Sequence, residues 1–382
     1  MIIGVLSDTH GDSKNAIPHI VREFKKRGVQ LIVHCGDIIP KHVSKDLFGG
    51  LPVICAFVDG QRDDPVFHQD RPEGWDITFP EKRIRTLPDG EVIYVGHKRH
   101  IDFLRKTTDQ FSETLMDIRQ QFDGLRYVFG GHMHFQTFKQ GQLVSFINPG
   151  AVEEALGWGY EYAIVDTVSG QVIFSRILPT PDDRPVFSVG VISDSLDISH
   201  RDRAYWGHLA KEFGDRGVSH IIHCGNIAIE DIGRSELNGF SVHYAIRADQ
   251  SSEYKKLKEK GMIPSNWSVV SEEHLDEGAV VDINGFRFYV QLDLGLKLMT
   301  ISEGAMDSAA MQIRRKYPET EFVLCGFTRE AIFVEGGQVL TINPGDTNAD
   351  RSFAVICLPR REITFGNVGF DPLPKLPITK SV

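Results

Sequence analysis

Residues 1–10 read Met-Ile-Ile-Gly-Val-Leu-Ser-Asp-Thr-His, a short apolar run that ends in polar side chains. A closely similar stretch returns at residues 187–196, which read Phe-Ser-Val-Gly-Val-Ile-Ser-Asp-Ser-Leu. Short β-branched runs of this kind are typical of buried strands. Their return so much later in the sequence indicates that the chain contains two copies of one domain.

The duplication continues along the chain. Ile32–Asp37 matches Ile221–Asn226, and Phe146–Gly150 matches Thr341–Gly345 in the same order. Residues 178–185 contain three prolines and two aspartates, which cannot continue a helix or an inner strand and therefore indicate a linker. We predict three parts: a first domain at 1–180, a linker at 181–185 and a second domain at 186–382.

The composition is that of a folded, acidic protein. Apolar residues make up 41% and charged residues 25%, which excludes a disordered chain. The net charge of -10 argues against a protein that coats nucleic acid or binds membranes through basic patches. No apolar run is long enough to span a bilayer, and we expect no signal peptide. Five scattered cysteines do not form a disulfide framework, so we expect a cytoplasmic location.

Short strand-like runs alternate with helical patterns in the first copy. The pattern predicts helices over 13–28 and about 108–122, and residues 64–90 indicate a loop and one edge strand. This alternation predicts an α/β fold. The predicted strands are Ile2–Leu6, Leu31–Val33, Val53–Phe57, Val92–Val95 and Tyr127–Phe129.

Polar donors follow these strands at the point where each strand ends. They are Asp8, His10, Asp37, Gln61, His97, His132 and His134. If the strands are neighbours in one sheet, their carboxyl ends share an edge, where open α/β sheets bind ligands. Crowded carboxylates and imidazoles are stable together when cations lie among them, so the pattern predicts two divalent metal ions.

The motifs Ser7–Asp12, Gly36-Asp37, Gly60-Gln61, His97 and Gly131–His134 together resemble the calcineurin-like metallophosphoesterase superfamily. The likeness is to its small bacterial and archaeal phosphodiesterase branch, and it covers essentially all of the first copy. The resemblance implies that each copy is a β-sandwich of two sheets flanked by helices. It also implies two divalent metal ions, with manganese expected first and iron, nickel, zinc or cobalt as alternatives.

The resemblance implies a role for each donor. One metal would be held by Asp8, His10 and His134, and the other by His97, His132 and Gln61, with Asp37 as the bridge. A hydroxide between the metals would attack phosphorus. From this sequence itself we expect no catalytic side chain beyond that centre.

The sequence departs from the family at one motif. Gln61 stands where the family usually has asparagine, and Asp59 or Asp63 could replace it as a ligand. Arg62 stands where some branches have a proton-donating histidine. Because arginine stays protonated, we expect Arg62 to bind phosphate instead. His100 is expected either to bind substrate or to lie in a solvated loop.

The second copy has lost most of these donors. Asp194 is kept in the place of Asp8, but Asn226 replaces Asp37. The histidines His10, His97, His132 and His134 have Leu196, Leu292, Phe327 and Arg329 as their counterparts. We expect the second copy to keep the fold, to bind no metal and to have a structural role.

The leading hypothesis is hydrolysis of a small phosphodiester or phosphomonoester by the first copy, with the diester preferred. The alternative is a catalytically silent scaffold or protein-interaction module of the same fold, which Gln61 motivates. A nuclease is a third candidate, which the acidic composition disfavours. A homodimer is left open.

Overall fold

The computed structural model describes the chain apart from residues 11–12, 40–42, 45, 57–71, 79–82, 98–107, 142, 153–158, 179–181, 197, 199–201, 203, 247–249, 272–277, 293–304, 327–329, 337–338 and 369–382. Two compact units make up the chain, one over Met1–Asp182 and the other over the described parts of Asp183–Met299 and Gly304–Asp371. Each contains two β-sheets and helices, which confirms the predicted α/β class and its tandem arrangement. We keep 1–180 and 186–382 as the proposed limits of the two domains.

The elements of the first unit are β1 (Ile2–Leu6), α1 (Ser13–Lys26), β2 (Leu31–His34), β3 (Val53–Ala56), β4 (Trp75–Thr78), β5 (Ile84–Thr86), β6 (Val92–Val95), α2 (Thr108–Gln121), β7 (Leu125–Phe129), β8 (Gln136–Lys139), β9 (Ser145–Pro149), β10 (Tyr160–Asp166) and β11 (Val172–Ile177). The strands form two sheets, in the orders β11-β10-β1-β2-β3-β4 and β8-β9-β7-β6-β5. Strands β1 to β4 run parallel, and so do β6, β7 and β9.

The predicted strands are divided between the two sheets. The condition that all of them are neighbours in one sheet is not met: β1, β2 and β3 lie in the first sheet, whereas β6 and β7 lie in the second. Both sheets have buried strands, so apolar runs alone do not reveal which sheet a strand joins. The described part of residues 64–90 also contains two edge strands, β4 and β5, instead of one.

Helix α1 packs its apolar face on the core of the first unit. The buried side chains recur every three or four residues from Ala16 to Phe24, and burying each large one contributes roughly 1.5–3 kcal/mol. Gly4 on β1 lets the Phe24 ring approach, because a Cβ there would lie 2.5 Å from it. Gly190 and Phe213 repeat this contact in the second unit at 2.6 Å.

The second unit repeats the topology of the first. Its elements are β12 (Phe187–Ile192), α3 (Tyr205–Asp215), β13 (Val218–His223), β14 (Ser241–Ala245), α4 (Ser251–Glu259), β15 (Trp267–Ser271), β16 (Ala279–Ile283), β17 (Phe286–Gln291), α5 (Ala305–Lys316), β18 (Thr320–Cys325), β19 (Ile332–Gly336), β20 (Val339–Asn343), α6 (Thr347–Asp350), β21 (Ser352–Leu358) and β22 (Glu362–Asn367), with 3₁₀ turns at Ile229–Asp231 and Ser235–Leu237. Its sheets have the orders β15-β14-β13-β12-β21-β22 and β16-β17-β18-β20-β19.

None of the helices in the described part of the chain has the length and apolar character needed to cross a membrane.

Candidate metal centre

Asp8 is the most buried carboxylate among the predicted ligands, with no exposed surface. Its Oδ2 accepts hydrogen bonds from the Ser7 hydroxyl at 2.5 Å and from the His132 backbone N–H at 2.9 Å. Its Oδ1 faces Nε2 of His134 at 3.1 Å and Nε2 of His97 at 3.8 Å. One oxygen therefore fixes the orientation of the carboxylate, and the other is presented to two imidazoles.

The pKa of Asp8 reflects this arrangement. Burial by itself would raise the pKa of Asp8, but His134, His97 and the Ser7 hydroxyl together outweigh burial and lower it. Asp8 is therefore a carboxylate at neutral pH, which is the form that binds a cation.

Two overlapping groups of side chains have the spacing of metal ligands. Ligand atoms of Asp8, His10 and His134 all lie within 4.8 Å of one another, and so do those of Asp8, Asp37 and His97. Asp8 is common to both groups. Oδ2 of Asp37 lies 3.5 Å from Nε2 of His10 and 3.9 Å from Nε2 of His97, so Asp37 also reaches a histidine of each group.

His97 is held in the tautomer that a metal ligand needs. Its Nδ1 donates a hydrogen bond to the backbone carbonyl of Cys35 at 3.0 Å, which leaves the lone pair on Nε2. That Nε2 is the atom that faces Asp8 and Asp37. The His132 ring lies beside it, with ring centroids 5.3 Å apart.

Five of the predicted ligands adopt a backbone conformation that most residues avoid. The φ angles are +52° at Asp8, +34° at His10, +60° at Asp37, +71° at His132 and +55° at His134. For a residue other than glycine, such a conformation costs of order 1–3 kcal/mol and persists only where the surroundings impose it. Asp194 and Asn226 in the second copy adopt the same conformation, so it belongs to the loop framework that both copies share.

Glycines allow the loops that carry the ligands to pack closely. A Cβ at Gly131 would lie 2.1 Å from the Ser7 hydroxyl oxygen and 2.9 Å from Nδ1 of His97. A Cβ at Gly36, where φ is +105°, would lie 2.8 Å from Cβ of His97. Larger residues at these two positions would displace His97.

Asn148 supports the loop that carries His132. The sequence indicates a turn at Asn148-Pro149-Gly150, and the structure adds a hydrogen bond from Nδ2 of Asn148 to the Gly131 carbonyl at 3.2 Å. Asn343 makes the same bond to Gly326 in the second copy at 3.3 Å. The repeat of this asparagine was the signal in the sequence for a role beyond the turn.

The two groups contain five of the seven predicted metal ligands. His132 belongs to neither group, although its ring centroid lies 5.3 Å from that of His97 and 6.5 Å from that of His134. Three other predicted site residues, Gln61, Arg62 and His100, lie outside the described residues, as do the alternative ligands Asp59 and Asp63. The position of Gln61 corresponds to Gln250 in the second copy, and Gln250 is described. Its Nε2 donates a hydrogen bond at 2.8 Å to the backbone carbonyl of Ile227, the residue after Asn226.

The second copy keeps the framework of this site and changes its chemistry. Asp194 and Asn226 have φ angles of +55° and +57°, as Asp8 and Asp37 do. Nδ2 of Asn226 donates a hydrogen bond to Oδ1 of Asp194 at 3.0 Å, so an amide occupies the place of the second carboxylate. Leu292, the counterpart of His97, packs on Gly225. Leu196 is partly exposed, and Phe327 and Arg329 lie outside the described residues.

The donors of the first copy fit a divalent cation. Imidazole nitrogens and carboxylate oxygens are the ligands that first-row metals prefer in proteins. Oδ1 of Asp8 is buried and accepts no hydrogen bond of regular geometry from the described residues, although two Nε2 atoms face it. A cation between these atoms would satisfy their lone pairs and offset the charges of Asp8 and Asp37.

The family model for the calcineurin-like phosphoesterase superfamily domain matches the chain twice, over residues 1–170 and 187–358. The chain belongs to the calcineurin-like phosphoesterase superfamily, as two tandem copies of its domain. The resemblance carried by the motifs is thereby confirmed. The superfamily is one of phosphoesterases, and its members generally use divalent metal ions. A search of curated proteins found no match.

Several solved structures are similar to part of the chain. An archaeal phosphodiesterase is 20% identical and covers 47% of this chain and 98% of its own, with a TM-score of 0.33. An uncharacterised protein of Streptococcus pneumoniae, described as a predicted phosphoesterase, is 23% identical, with 46% and 88% covered and a TM-score of 0.30. Vps29 of Entamoeba histolytica, solved with zinc, is 16% identical, with 47% and 90% covered and a TM-score of 0.27.

Proposed function

We propose that the first copy is a dimetal phosphoesterase that hydrolyses a small phosphodiester or phosphomonoester, and that the second copy is structural. One observation carries the proposal: two groups of metal-ligand side chains meet at Asp8, and Asp37 reaches a histidine of each. The membership of the chain in the phosphoesterase superfamily supports it.

We propose that the residues divide between two ions as the family resemblance implies. Asp8, His10 and His134 would hold one ion; His97 and His132, with Gln61, would hold the other; Asp37 would lie between them. When bound, the ions would stabilise charge on the phosphoryl and leaving oxygens and lower the pKa of the attacking water. Manganese is the ion with which we expect the protein to be most active.

The site is buried at the back and open at the front. Asp8 and His97 are almost fully buried, whereas the side chains of His10, Asp37 and His134 are each about one-third exposed. A small phosphorylated substrate can therefore reach the ligands from the exposed side. We propose that Arg62 and His100 bind its phosphate.

We further propose a preference for diesters and other substrates with good leaving groups. Arg62 stands where a proton donor would be needed to release a poor leaving group, and arginine does not lose its proton near neutral pH. The protein is proposed to act in the cytoplasm, since all five cysteines are free thiols, as in a reducing compartment.

The test compares the same substitution in the two copies. Full-length wild-type protein, Asp8→Asn and Asp194→Asn are stripped of metal with a chelator, reloaded with Mn²⁺, and assayed on an aryl phosphodiester and an aryl phosphomonoester. We expect hydrolysis by the wild type, a loss of at least about a hundredfold in Asp8→Asn, and no change in Asp194→Asn. A wild-type protein that binds Mn²⁺ but hydrolyses neither ester would favour the silent scaffold. If Asp8→Asn hydrolysed the esters at the wild-type rate, the activity would not depend on this metal centre.

A further inference from the structure

His34 lies between the two loops that carry the predicted ligands of the first sheet. One loop contains Asp8, Thr9 and His10, and the other contains Gly36 and Asp37. His34 and Thr9 are both fully buried. Neither is among the predicted metal ligands, and no step of the proposed reaction uses them.

The imidazole of His34 is hydrogen-bonded on both sides. Nδ1 accepts a hydrogen bond from the Gly36 backbone N–H at 3.2 Å, so this nitrogen carries no proton. Nε2 therefore carries the proton and donates to the Thr9 hydroxyl at 3.2 Å. Burial lowers the pKa of His34 to about 3, which keeps the ring neutral and this pattern fixed.

The two hydrogen bonds end next to strained ligands. Thr9 lies between Asp8 and His10, and Gly36 precedes Asp37. All three ligands have positive φ angles. The loops also touch directly, since the Asp8 N–H donates to the Gly36 carbonyl at 3.0 Å and the His10 N–H to the Asp37 carbonyl at 3.3 Å. Strained conformations need restraints of this kind to persist.

The second copy has the same connection. His223 accepts from the Gly225 N–H at 3.1 Å and pairs with the Ser195 hydroxyl at 2.8 Å. It links loops whose Asp194 and Asn226 keep the positive φ angles. His223 can therefore be substituted in the same way as His34, in a copy that lacks the histidine ligands, and it serves as a matched control.

We propose that His34 is a positioning residue of the metal centre, because its ring fixes the loop of Asp8 and His10 relative to the loop of Asp37. The proposal rests on the proposed dimetal function of the first copy. The loss of His34 would let the loops separate, and metal affinity would fall even though every ligand remains.

The experiment compares His34→Asn with His223→Asn in the full-length protein. Asparagine keeps an acceptor near the glycine N–H but is too short to reach the hydroxyl. Metal-stripped proteins are titrated with Mn²⁺ and followed by electron paramagnetic resonance, and unfolding is measured in denaturant. We expect both variants to lose similar stability, while only His34→Asn binds Mn²⁺ about 10–100-fold more weakly. Affinity within twofold of the wild type, or equal weakening in both variants, would overturn the proposal.

A second pair of variants decides the question if His34→Asn does not fold. Thr9→Val keeps the shape of the side chain and removes the hydroxyl, whereas Thr9→Ser installs the residue that the second copy has at Ser195. We expect Thr9→Val to weaken Mn²⁺ binding and Thr9→Ser to match the wild type. If Mn²⁺ binding is unchanged in both Thr9→Val and Thr9→Ser, the positioning role of His34 is overturned, whereas the proposed dimetal function is not. A wild-type protein that binds no Mn²⁺ would overturn the proposed function itself.

Discussion

Asn226 donates a hydrogen bond to Asp194 at 3.0 Å, whereas Asp37, its counterpart beside Asp8 in the first copy, is a carboxylate with no hydrogen to donate. The backbone φ angles of the two pairs agree within a few degrees. In the second copy the remaining carboxylate, Asp194, is therefore hydrogen-bonded to an amide. In the first copy two carboxylates lie close together, and a bound cation would offset their charges. Together with the replacement of the four histidines, this difference accounts for the proposed metal site in one copy and the proposed structural role of the other.

Asp37→Asn should give the first copy the pair of one carboxylate and one amide that Asp194 and Asn226 form in the second copy. The new amide can donate to Asp8, and one negative charge is removed, so the metal-free protein should be as stable as the wild type or more stable. Hydrolysis should fall by at least about a hundredfold, because the ions lose their bridge. Denaturant unfolding without metal and rates with Mn²⁺ measure the two effects. Full activity in this variant would contradict the proposed role of Asp37.

Asn226→Asp should have the opposite effect on stability and none on activity. It removes the hydrogen bond to Asp194 and places two carboxylates together, which should cost about 1–3 kcal/mol at neutral pH. Unfolding free energy and the rate of ester hydrolysis are measured on the same samples. A variant of unchanged stability would show that the bond between Asn226 and Asp194 is not needed to satisfy the acid.

Gly36→Ala and Gly225→Ala form a matched pair at the two equivalent turns. Alanine is strained at both positions, where φ is +105° and +117°, so each variant should lose about 1–3 kcal/mol of stability. The added Cβ would press on His97 in the first copy and on Leu292 in the second. Only Gly36→Ala should therefore lower kcat/KM, by tenfold or more. Equal activity in the two variants would contradict the placement of His97 in the site.

The metal-free protein should lose stability as the pH falls below about 6.5. Burial lowers the pKa of His34 and of His223 to about 3, from an ordinary value of 6.5. Below pH 6.5 the unfolded chain therefore takes up protons that the folded chain excludes, down to about pH 3. Each histidine should cost up to about 1.4 kcal/mol per pH unit in this range.

Denaturant unfolding at several pH values between 7.5 and 4.5 measures this slope. His223→Asn should be less stable than the wild type at pH 7.5 and should have a shallower slope, because one buried histidine with a lowered pKa is gone. A slope that His223→Asn leaves unchanged would contradict the buried, neutral state of His223.

The sequence allowed most of the first unit to be predicted, because its signals are local. The runs at Ile2–Leu6 and Val92–Val95 became strands with those bounds, and the apolar face of residues 16–24 became that of helix α1. The donors could be recognised because each follows a strand-like run. The division of the strands between two sheets could not be predicted, since pairing partners are far apart in the sequence and both sheets are buried.

The finer geometry of the site depends on contacts between distant residues. The bond from His97 to the Cys35 carbonyl joins positions far apart in the chain, and no local pattern encodes it. Aspartate adopts positive φ angles more often than most residues do, but only in a small minority of cases, so residue identity alone does not predict the angles at Asp8 and Asp37. Only the retention of His34 as His223 suggested a role outside the ligand set.

The most direct test of the central claim is the amount of metal that the full-length protein binds. Protein reloaded with Mn²⁺ is separated from free ions, and the metal per chain is determined by elemental analysis for the wild type, Asp8→Asn and Asp194→Asn. We predict two ions per chain in the wild type and in Asp194→Asn, and a loss of both in Asp8→Asn. No bound metal in the wild type, or an equal loss in Asp194→Asn, would contradict a paired metal site in the first copy.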